Sequence, residues 1–318
     1  MPTAWTIQAT DTGIRLDIFL TREMPETTRS QVAKRIKNGN VTVNGKAATV
    51  HRFLKKGDAV ELNDAQKMDG VVGATRRVAP TEMTACIPTV PLIAETPDWL
   101  VLDKPPGLLV HPDAKTNNGT LVDFLIVHDP AIAKVGEDPS RPGIMHRLDK
   151  EASGLMVIAK TQDAFDSLKR QFAEHTVEKK YLALVFGEME KEEGDIKFKI
   201  ARSKTRQRMA ARPEHEEEGK VAWTHYKVLR LFRNASLLEL TILTGRTHQI
   251  RAHLLAINHP IIGDPLYKRR KEDRNISAPR LMLQAVHLGF RDPATGEKIE
   301  FDLSPDQAFN QCITALSP

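Results

Sequence analysis

Arg141-Pro-Gly-Ile-Met-His-Arg-Leu-Asp-Lys-Glu-Ala-Ser-Gly154 runs directly into Leu155-Met-Val-Ile-Ala159. The second segment is an unbroken apolar run that stops at Lys160-Thr161, the pattern of a strand covered on both faces. The first is punctuated by Pro142, Gly143 and Gly154, with charged residues between, so it reads as a loop held against a core strand. Loops so placed often carry catalytic side chains. Asp149 sits in this loop between Arg147 and Lys150. Taken alone it is a solvated turn carboxylate, as most are. Its meaning depends on what the rest of the chain brings to it.

Strands and helices surround this stretch without a βαβαβ rhythm. Residues 99–103 predict a strand, 104–107 a turn and 108–111 a second strand. Beyond 154–160, Thr161 caps a helix whose core face is Phe165, Leu168 and Phe172. Residues 181–186, 237–243, 281–290 and 298–303 read as strands. Residues 202–212, with Arg202, Lys204, Arg206, Arg208 and Arg212, form an exposed hairpin or loop with one basic arm. Residues 244–251 turn into a helix that runs to about Leu255. The expected class is α+β, with a mixed, largely antiparallel central sheet flanked by helices over residues 91–318.

Residues 1–62 form a smaller α/β module, joined through a mixed linker at 63–90 that contains Gly70, Gly73, Pro80 and Pro88. Ile14, Leu16, Phe19 and Leu20 give a short helical pattern. A second helix starts near Thr28 or Ser30 and ends at Asn38-Gly39, with Val32, Ala33 and Ile36 facing inward. Val41-Thr-Val-Asn-Gly-Lys46 is a strand and hairpin turn. Eight cations (Arg29, Lys34, Arg35, Lys37, Lys46, Arg52, Lys55 and Lys56) occur here without an acid between them. The module holds ten Lys and Arg against six Asp and Glu, most of the chain's net +5. Signs normally intersperse on a surface, so this face fits a polyanion, nucleic acid before others.

Composition narrows the chemistry. At 318 residues and 41% hydrophobic the chain can bury a sizeable core. Cys86 and Cys312 are far apart, so no disulfide framework or structural zinc is expected, and a reducing cytosol fits. The N-terminal stretch has no basic segment followed by an apolar one, and no run of about 18 apolar residues occurs, so neither a secretory signal nor a membrane span is expected. There is no phosphate-binding glycine loop, no H-E-x-x-H and no G-x-S-x-G. Templates for nucleotide, metal and serine-hydrolase chemistry therefore fail. What remains is a carboxylate that can work at a sugar carbon once a guanidinium orients it. Arg251, on a helix, is one candidate partner; Arg246, a turn earlier, is the other.

Five motifs in order carry a resemblance. They are Asp103-Lys-Pro-Pro-Gly-Leu-Leu-Val-His111, His146-Arg-Leu-Asp-Lys-Glu-Ala-Ser-Gly154, Lys179-Lys-Tyr181, Leu243-Thr-Gly-Arg-Thr-His-Gln-Ile-Arg251 and Gly263-Asp-Pro-Leu-Tyr267. With them the chain resembles the RluA/RluD-type pseudouridine synthases. Residues 14–62, with Gly39-Asn-Val-Thr-Val-Asn-Gly45 and Gly57-Asp-Ala-Val60, resemble the S4 RNA-binding domain. One position departs: Ala152 stands where the family usually has Thr.

The resemblance implies an isomerase that converts uridines of structured RNA to pseudouridine, large-subunit ribosomal RNA first and transfer RNA second. It also implies no cofactor and no metal. It makes Asp149 the catalytic carboxylate, Arg251 its partner and Tyr181 the ring that packs on the target base. Arg147 would fill the gap left in the RNA stack, and Leu155 and Ile250 would line the pocket. Arg29, Lys34, Lys37, Lys46, Arg206 and Arg208 would contact RNA. Two classes compete: a catalytically silent ribosome-assembly factor of the same fold, which intact Asp149, Tyr181 and Arg251 argue against, and a nucleoside-cleaving hydrolase that uses Asp149 on a glycosidic bond and would release free uracil. A cytoplasmic monomer is expected.

Overall fold

In the computed structural model, residues 3–8, 11–24, 27, 31–32, 35–36, 38–49, 52–62, 87–112, 118–203, 205, 208–268 and 276–316 are described. Two units emerge from the internal contacts, residues 1–79 and 80–318. The predicted linker, up to residue 86, lies outside the described residues, as do Arg29, Lys34, Lys37 and Arg206.

The first unit contains β1 (Thr3–Thr6), α1 (Leu16–Glu23), β2 (Val41–Val43), β3 (Lys46–Ala47) and β4 (Ala59–Leu62), with helical backbone also at residues 31–32 and 35–36. Its sheet is antiparallel in the order β1-β4-β2-β3. Asn44 and Gly45 both take positive φ, 55° and 70°, as a two-residue hairpin between β2 and β3 requires. The Asn44 amide donates to Asp58 Oδ1 at 2.7 Å and accepts from the Ala59 N–H at 2.8 Å, while Asp58 Oδ2 accepts from the Lys55 N–H at 3.0 Å. The hairpin and the Gly57-Asp58 turn are thereby tied together. Leu16, Phe19, Leu20, Val32, Ile36, Val41, Val43 and Val60 make the core, so Val32 and Ile36 face inward as their spacing predicts. Lys46 is exposed.

The second unit contains β5 (Leu92–Glu95), β6 (Trp99–Lys104), α2 (Leu121–His128), a 3₁₀ turn (Pro130–Lys134), β7 (Ser153–Ala159), α3 (Gln162–Ala173), β8 (Glu178–Phe186), β9 (Glu193–Arg202), β10 (Met209–Arg212), β11 (Lys220–Phe232), β12 (Ala235–Ile242), α4 (Gln249–Ala256), β13 (Leu283–Arg291), β14 (Lys298–Asp302) and α5 (Gln307–Leu316). One sheet runs β10-β9-β11-β12-β8-β13-β7-β6-β5, with β14 paired to β13. Every strand pair is antiparallel except β13 with β7. The fold is α+β with a mixed, largely antiparallel sheet. Among the described residues no helix is long and apolar enough to cross a membrane.

The opening stretch leads into an interior strand of the sheet, β7, between β13 and β6. All seven residues of β7 are buried. Met156 and Ile158 pack into one core, and Leu155, Val157 and Ala159 into another on the opposite face. β7 meets β13 at Ser153 and Gly154. Gly154 has φ 115°, and a Cβ there would lie 2.2 Å from the Ala285 carbonyl oxygen, so only glycine lets the two backbones approach. This contact fixes where the loop bearing Asp149 leaves the sheet.

One expectation is corrected and one is qualified. Residues 108–111 do not form a strand. The Leu109 and Val110 carbonyls instead accept from the Leu121 and Val122 N–H groups at 2.8 and 3.2 Å, the unsatisfied donors of the first turn of α2. Thr161 does cap α3, accepting from Ala164 N–H at 3.3 Å, and Phe165 and Leu168 are buried. Phe172 packs against the same core but is only half-buried, its ring also stacking on His146 at 4.5 Å.

Candidate active site

A cavity of about 530 Å³ opens between the loop 144–152, the start of β8 and the turn leading into α4. This is within the size range of small-molecule sites. Asp149, Arg147, Lys179, Tyr181, His248 and Ile250 all line it. β8 alternates, so Lys179 and Tyr181 share the face that meets the cavity. Burial, with the Asp149 charge nearby, pushes the Tyr181 phenol well above its ordinary value, so it stays protonated.

Asp149 Oδ2 accepts from Arg251 Nη1 at 3.1 Å, and its side chain keeps 16% of its surface exposed. Arg251 is buried, at 1% exposure. Its fork does not pair with Asp149 through two nitrogens. It grips Asp264 instead, with Nε to Oδ2 at 2.7 Å and Nη2 to Oδ1 at 2.8 Å. Nη1 is left to reach Asp149 and, at 3.3 Å, Glu151. Burial alone would lower the guanidinium's pKa, but Asp264 and Asp149 outweigh it and raise it, so the charge is permanent. Asp264 Oδ1 also accepts the Leu266 and Tyr267 N–H groups at 2.8 and 2.9 Å. Burial works to raise its pKa, yet Arg251 and these N–H groups hold it below the ordinary carboxylate value. Arg246, the other candidate partner, is exposed, and its Nε donates to the Val221 carbonyl. The reason lies in Gln249, whose Oε1 accepts from Arg246 N–H and Thr244 Oγ1 and whose amide donates to Trp223 O and Thr224 Oγ1. That holds the turn on β11 and leaves the next helical turn to aim Arg251 inward.

The loop is braced from beneath. Lys104 is fully buried, and its ammonium donates to the Pro105, Leu108 and Lys150 carbonyls at 2.8, 2.9 and 3.2 Å. Lys150 directly follows Asp149, so the ammonium ties the loop to β6. His146 Nε2 accepts the Val157 N–H at 3.1 Å and pins the loop's other end to β7. Burial pushes Lys104 down to about 7 from 10.5. Because the unfolded chain keeps that proton to higher pH, the folded state gains stability as pH rises from about 7 towards 10. Lys104→Met is expected to abolish this rise and to cost about 2–3 kcal/mol at pH 7, since three buried carbonyls lose their donor. Urea unfolding of both proteins at pH 7 and 9.5 checks both statements.

The other expected site residues divide. Arg147 is exposed at the cavity and bonds His111 Nε2 at 2.8 Å. Ile250 lines the cavity, but Leu155 does not; it points to the far side of β7, among Trp99, Val101 and Phe290. Arg208 is half-buried, its guanidinium over the Tyr267 ring at 4.7 Å and donating to Leu266 O. Ala152 is buried and lines the cavity, so the family's hydroxyl would fall in an apolar cluster here. Lys104, Asp264, His248 and Lys179 were not singled out from the sequence, although all four stand in the quoted motifs. Away from the cavity, Glu178, His287 and Glu300 bring ligand-type atoms within 4.8 Å of one another. Lys298 Nζ already sits 2.8 and 2.9 Å from the two glutamates and bridges them.

A buried arginine clamp, a carboxylate with one oxygen open to a cavity, and a protonated tyrosine facing it can together support chemistry at a sugar carbon without an external base. Comparison with known proteins gives the same direction. Residues 98–256 match the family model for RNA pseudouridylate synthase, and residues 14–60 match the S4 domain. An RNA pseudouridine synthase of Aquifex aeolicus is 40% identical over 313 residues, covering 95% of this chain and 93% of that protein. A protein of Nitrosomonas europaea named ribosomal large subunit pseudouridine synthase D is 38% identical over 291 residues, 90% of this chain and 79% of its own. The solved structure of human RNA pseudouridylate synthase domain containing 1 superposes with a TM-score of 0.56 at 28% identity, over 72% of this chain and 94% of that one. With the catalytic-family match spanning Asp149, Tyr181 and Arg251, the chain belongs to the RNA pseudouridine synthases, isomerases of RNA, and carries an S4 domain ahead of the catalytic part.

Proposed function

We propose that this synthase acts on uridines of large-subunit ribosomal RNA, using Asp149 as its catalytic carboxylate on a nucleotide flipped into the cavity. One observation carries the reading. Asp149 Oδ2 is held by a buried, permanently charged arginine while the carboxylate still faces a cavity of nucleoside size. The isomerisation breaks the N1–C1′ bond, turns the base and rejoins it through C5, which loses its proton while N1 gains one. Asp149 serves the glycosidic step, and Arg251 balances its charge throughout. Tyr181 packs on the base, and because its phenol stays protonated it relays the C5 proton through its O–H rather than acting as a phenolate. A duplex hides C1′ and C5, so the uridine must leave the stack, and Arg147 at the cavity mouth offsets the stacking lost. The S4 domain supplies affinity through phosphate contacts, with strong salt dependence. Its cations Arg29, Lys34, Lys37 and Lys46 serve that purpose, and Arg206 and Arg208 add to it from the catalytic part.

The ribosomal choice is supported by the names of the relatives in Nitrosomonas europaea and, at 36% identity, Pseudomonas aeruginosa, both called ribosomal large subunit pseudouridine synthase D. We place the enzyme in the cytoplasm, where such RNA is made. Pseudouridine mapping of total RNA from cells with and without the protein tests the choice. Large-subunit positions should lose the modification and regain it on complementation; an unchanged ribosomal profile with a loss in transfer RNA would overturn it.

Tyr181 gives a separate expectation. Tyr181→Phe keeps the ring, so RNA affinity should hold while turnover falls roughly 10²-fold, the usual scale of a positioned acid–base group. Tyr181→Leu should in addition weaken RNA binding by about 1–3 kcal/mol, the value of one base on an aromatic ring. Filter binding and single-turnover rates separate the two.

A further inference from the structure

Tyr267 lies at the end of the Gly263-Asp-Pro-Leu-Tyr267 motif and touches every part of the clamp without lining the cavity. Its backbone N–H donates to Asp264 Oδ1 at 2.9 Å, the carboxylate that grips Arg251. Its ring lies under the Arg251 guanidinium at 5.1 Å and the Arg208 guanidinium at 4.7 Å. Its hydroxyl meets three partners: Met209 N at 3.1 Å, Met209 O at 3.0 Å and His248 Nδ1 at 3.1 Å. The turn cannot slide to relax these contacts. Gly263 has φ 76°, and a Cβ there would lie 1.8 Å from the Arg280 carbonyl oxygen.

Counting protons decides the arrangement. A phenol has one proton to give and two lone pairs to offer. The Met209 N–H can only donate and the Met209 carbonyl can only accept. If the phenol gave its proton to His248, its oxygen would face the Met209 carbonyl oxygen at 3.0 Å with no proton between them. If it gives the proton to Met209 O, one lone pair takes the Met209 N–H and the other must take an N–H from His248 Nδ1. Only the second arrangement satisfies all three contacts. The His248 ring then carries its proton on Nδ1, and Nε2 is a bare lone pair.

That nitrogen lies 3.9 Å from Asp149 Oδ1. We propose that Tyr267 is a positioning residue for the isomerisation: by fixing His248 as the Nδ1–H tautomer, it keeps a hydrogen-bond donor away from the catalytic oxygen of Asp149. A donor there would stabilise the carboxylate's charge and blunt it as a nucleophile or base. Oδ2 is held by Arg251, while Oδ1 remains uncommitted. His248 itself is fixed as the residue before α4, in the left-handed conformation at φ 53°. Burial lowers its pKa against the pull of Asp149, Glu151 and Asp264 and with the help of Arg251, so the ring is neutral and has a tautomer to choose. The proposal rests on the reading of Asp149 as the catalytic group.

Two measurements on the full-length enzyme test it. Long-range proton–nitrogen correlation of ¹⁵N-histidine-labelled wild type, with His248 assigned by its loss in His248→Asn, should show Nδ1 protonated and Nε2 bare. In Tyr267→Phe the ring and its cation contacts stay but the hydroxyl goes. The His248 signals should move to the Nε2–H form or a mixture, and kcat on RNA should fall about tenfold, the scale of one misplaced hydrogen bond. KM should stay within about twofold, because no RNA contact is removed. Wild-type His248 protonated on Nε2 would overturn the proposal, and so would Tyr267→Phe with the wild-type tautomer and wild-type kcat. If Tyr267→Phe does not fold, the wild-type spectrum alone decides. The spectrum needs no turnover, so it stands apart from the role of Asp149, which would fail separately if Asp149→Asn kept its activity.

Discussion

Asp264→Ala is expected to destabilise the catalytic unit by about 3–5 kcal/mol, the usual cost of leaving a buried charge without its partner. The carboxylate takes two arginine N–H donors and two backbone N–H donors, and removing it orphans all four in a site closed to water. Asp149 and Glu151 reach only Nη1, so they cannot replace it. The same carboxylate gives a pH signature. Its folded pKa lies below the unfolded value of about 3.9. Its stabilisation is therefore complete above that value and is lost as pH falls through the folded one. Acid should thus erode the wild type faster than Asp264→Asn below about pH 4, narrowing the gap between them. Denaturant melts of wild type, Asp264→Ala and Asp264→Asn at pH 7 and pH 3 measure both effects.

Asp149→Asn should lower the single-turnover rate roughly 10³-fold or more while leaving RNA affinity close to wild type. Asparagine keeps the shape and can still accept from Arg251 through its amide oxygen, so the loop should remain in place. It offers no negative charge for the glycosidic step. Arg251 keeps Asp264, so the charge left behind is still paired and the stability cost should be small, in contrast to Asp264→Ala. Parallel filter binding and pseudouridine quantification distinguish this from a folding defect, which would lower both.

Much of the fold was legible because its signals are local. The apolar run of β7, the Thr161 cap and the Asn44-Gly45 turn each act within a few residues, and each appears where the sequence places it. The misses arise from tertiary demand. Residues 108–110 look like a strand, but their carbonyls are used to start α2. β11 is thirteen residues long, yet its alternation is broken by a register shift between Val228 and Arg230, with Leu229 and Leu231 exposed. Leu155 is apolar and adjacent to the loop, but on a two-sided strand adjacency does not say which face it takes. The site was legible as residue types in order, and its wiring was not. Asp149 and Arg251 lie 102 positions apart, and nothing in the sequence says that the arginine's fork belongs to Asp264 with a single nitrogen left over. Lys104 likewise reads as a turn lysine until its burial beneath Lys150 is seen.

The central claim is that Asp149, held by the Arg251–Asp264 clamp, performs the isomerisation. It is tested most directly by tritium release from ribosomal RNA labelled at uridine C5. Wild-type enzyme should release tritium in step with pseudouridine formation and without free uracil, and Asp149→Asn should release none above background. Release by Asp149→Asn at the wild-type rate, or a wild type that liberates uracil instead of pseudouridine, would contradict it.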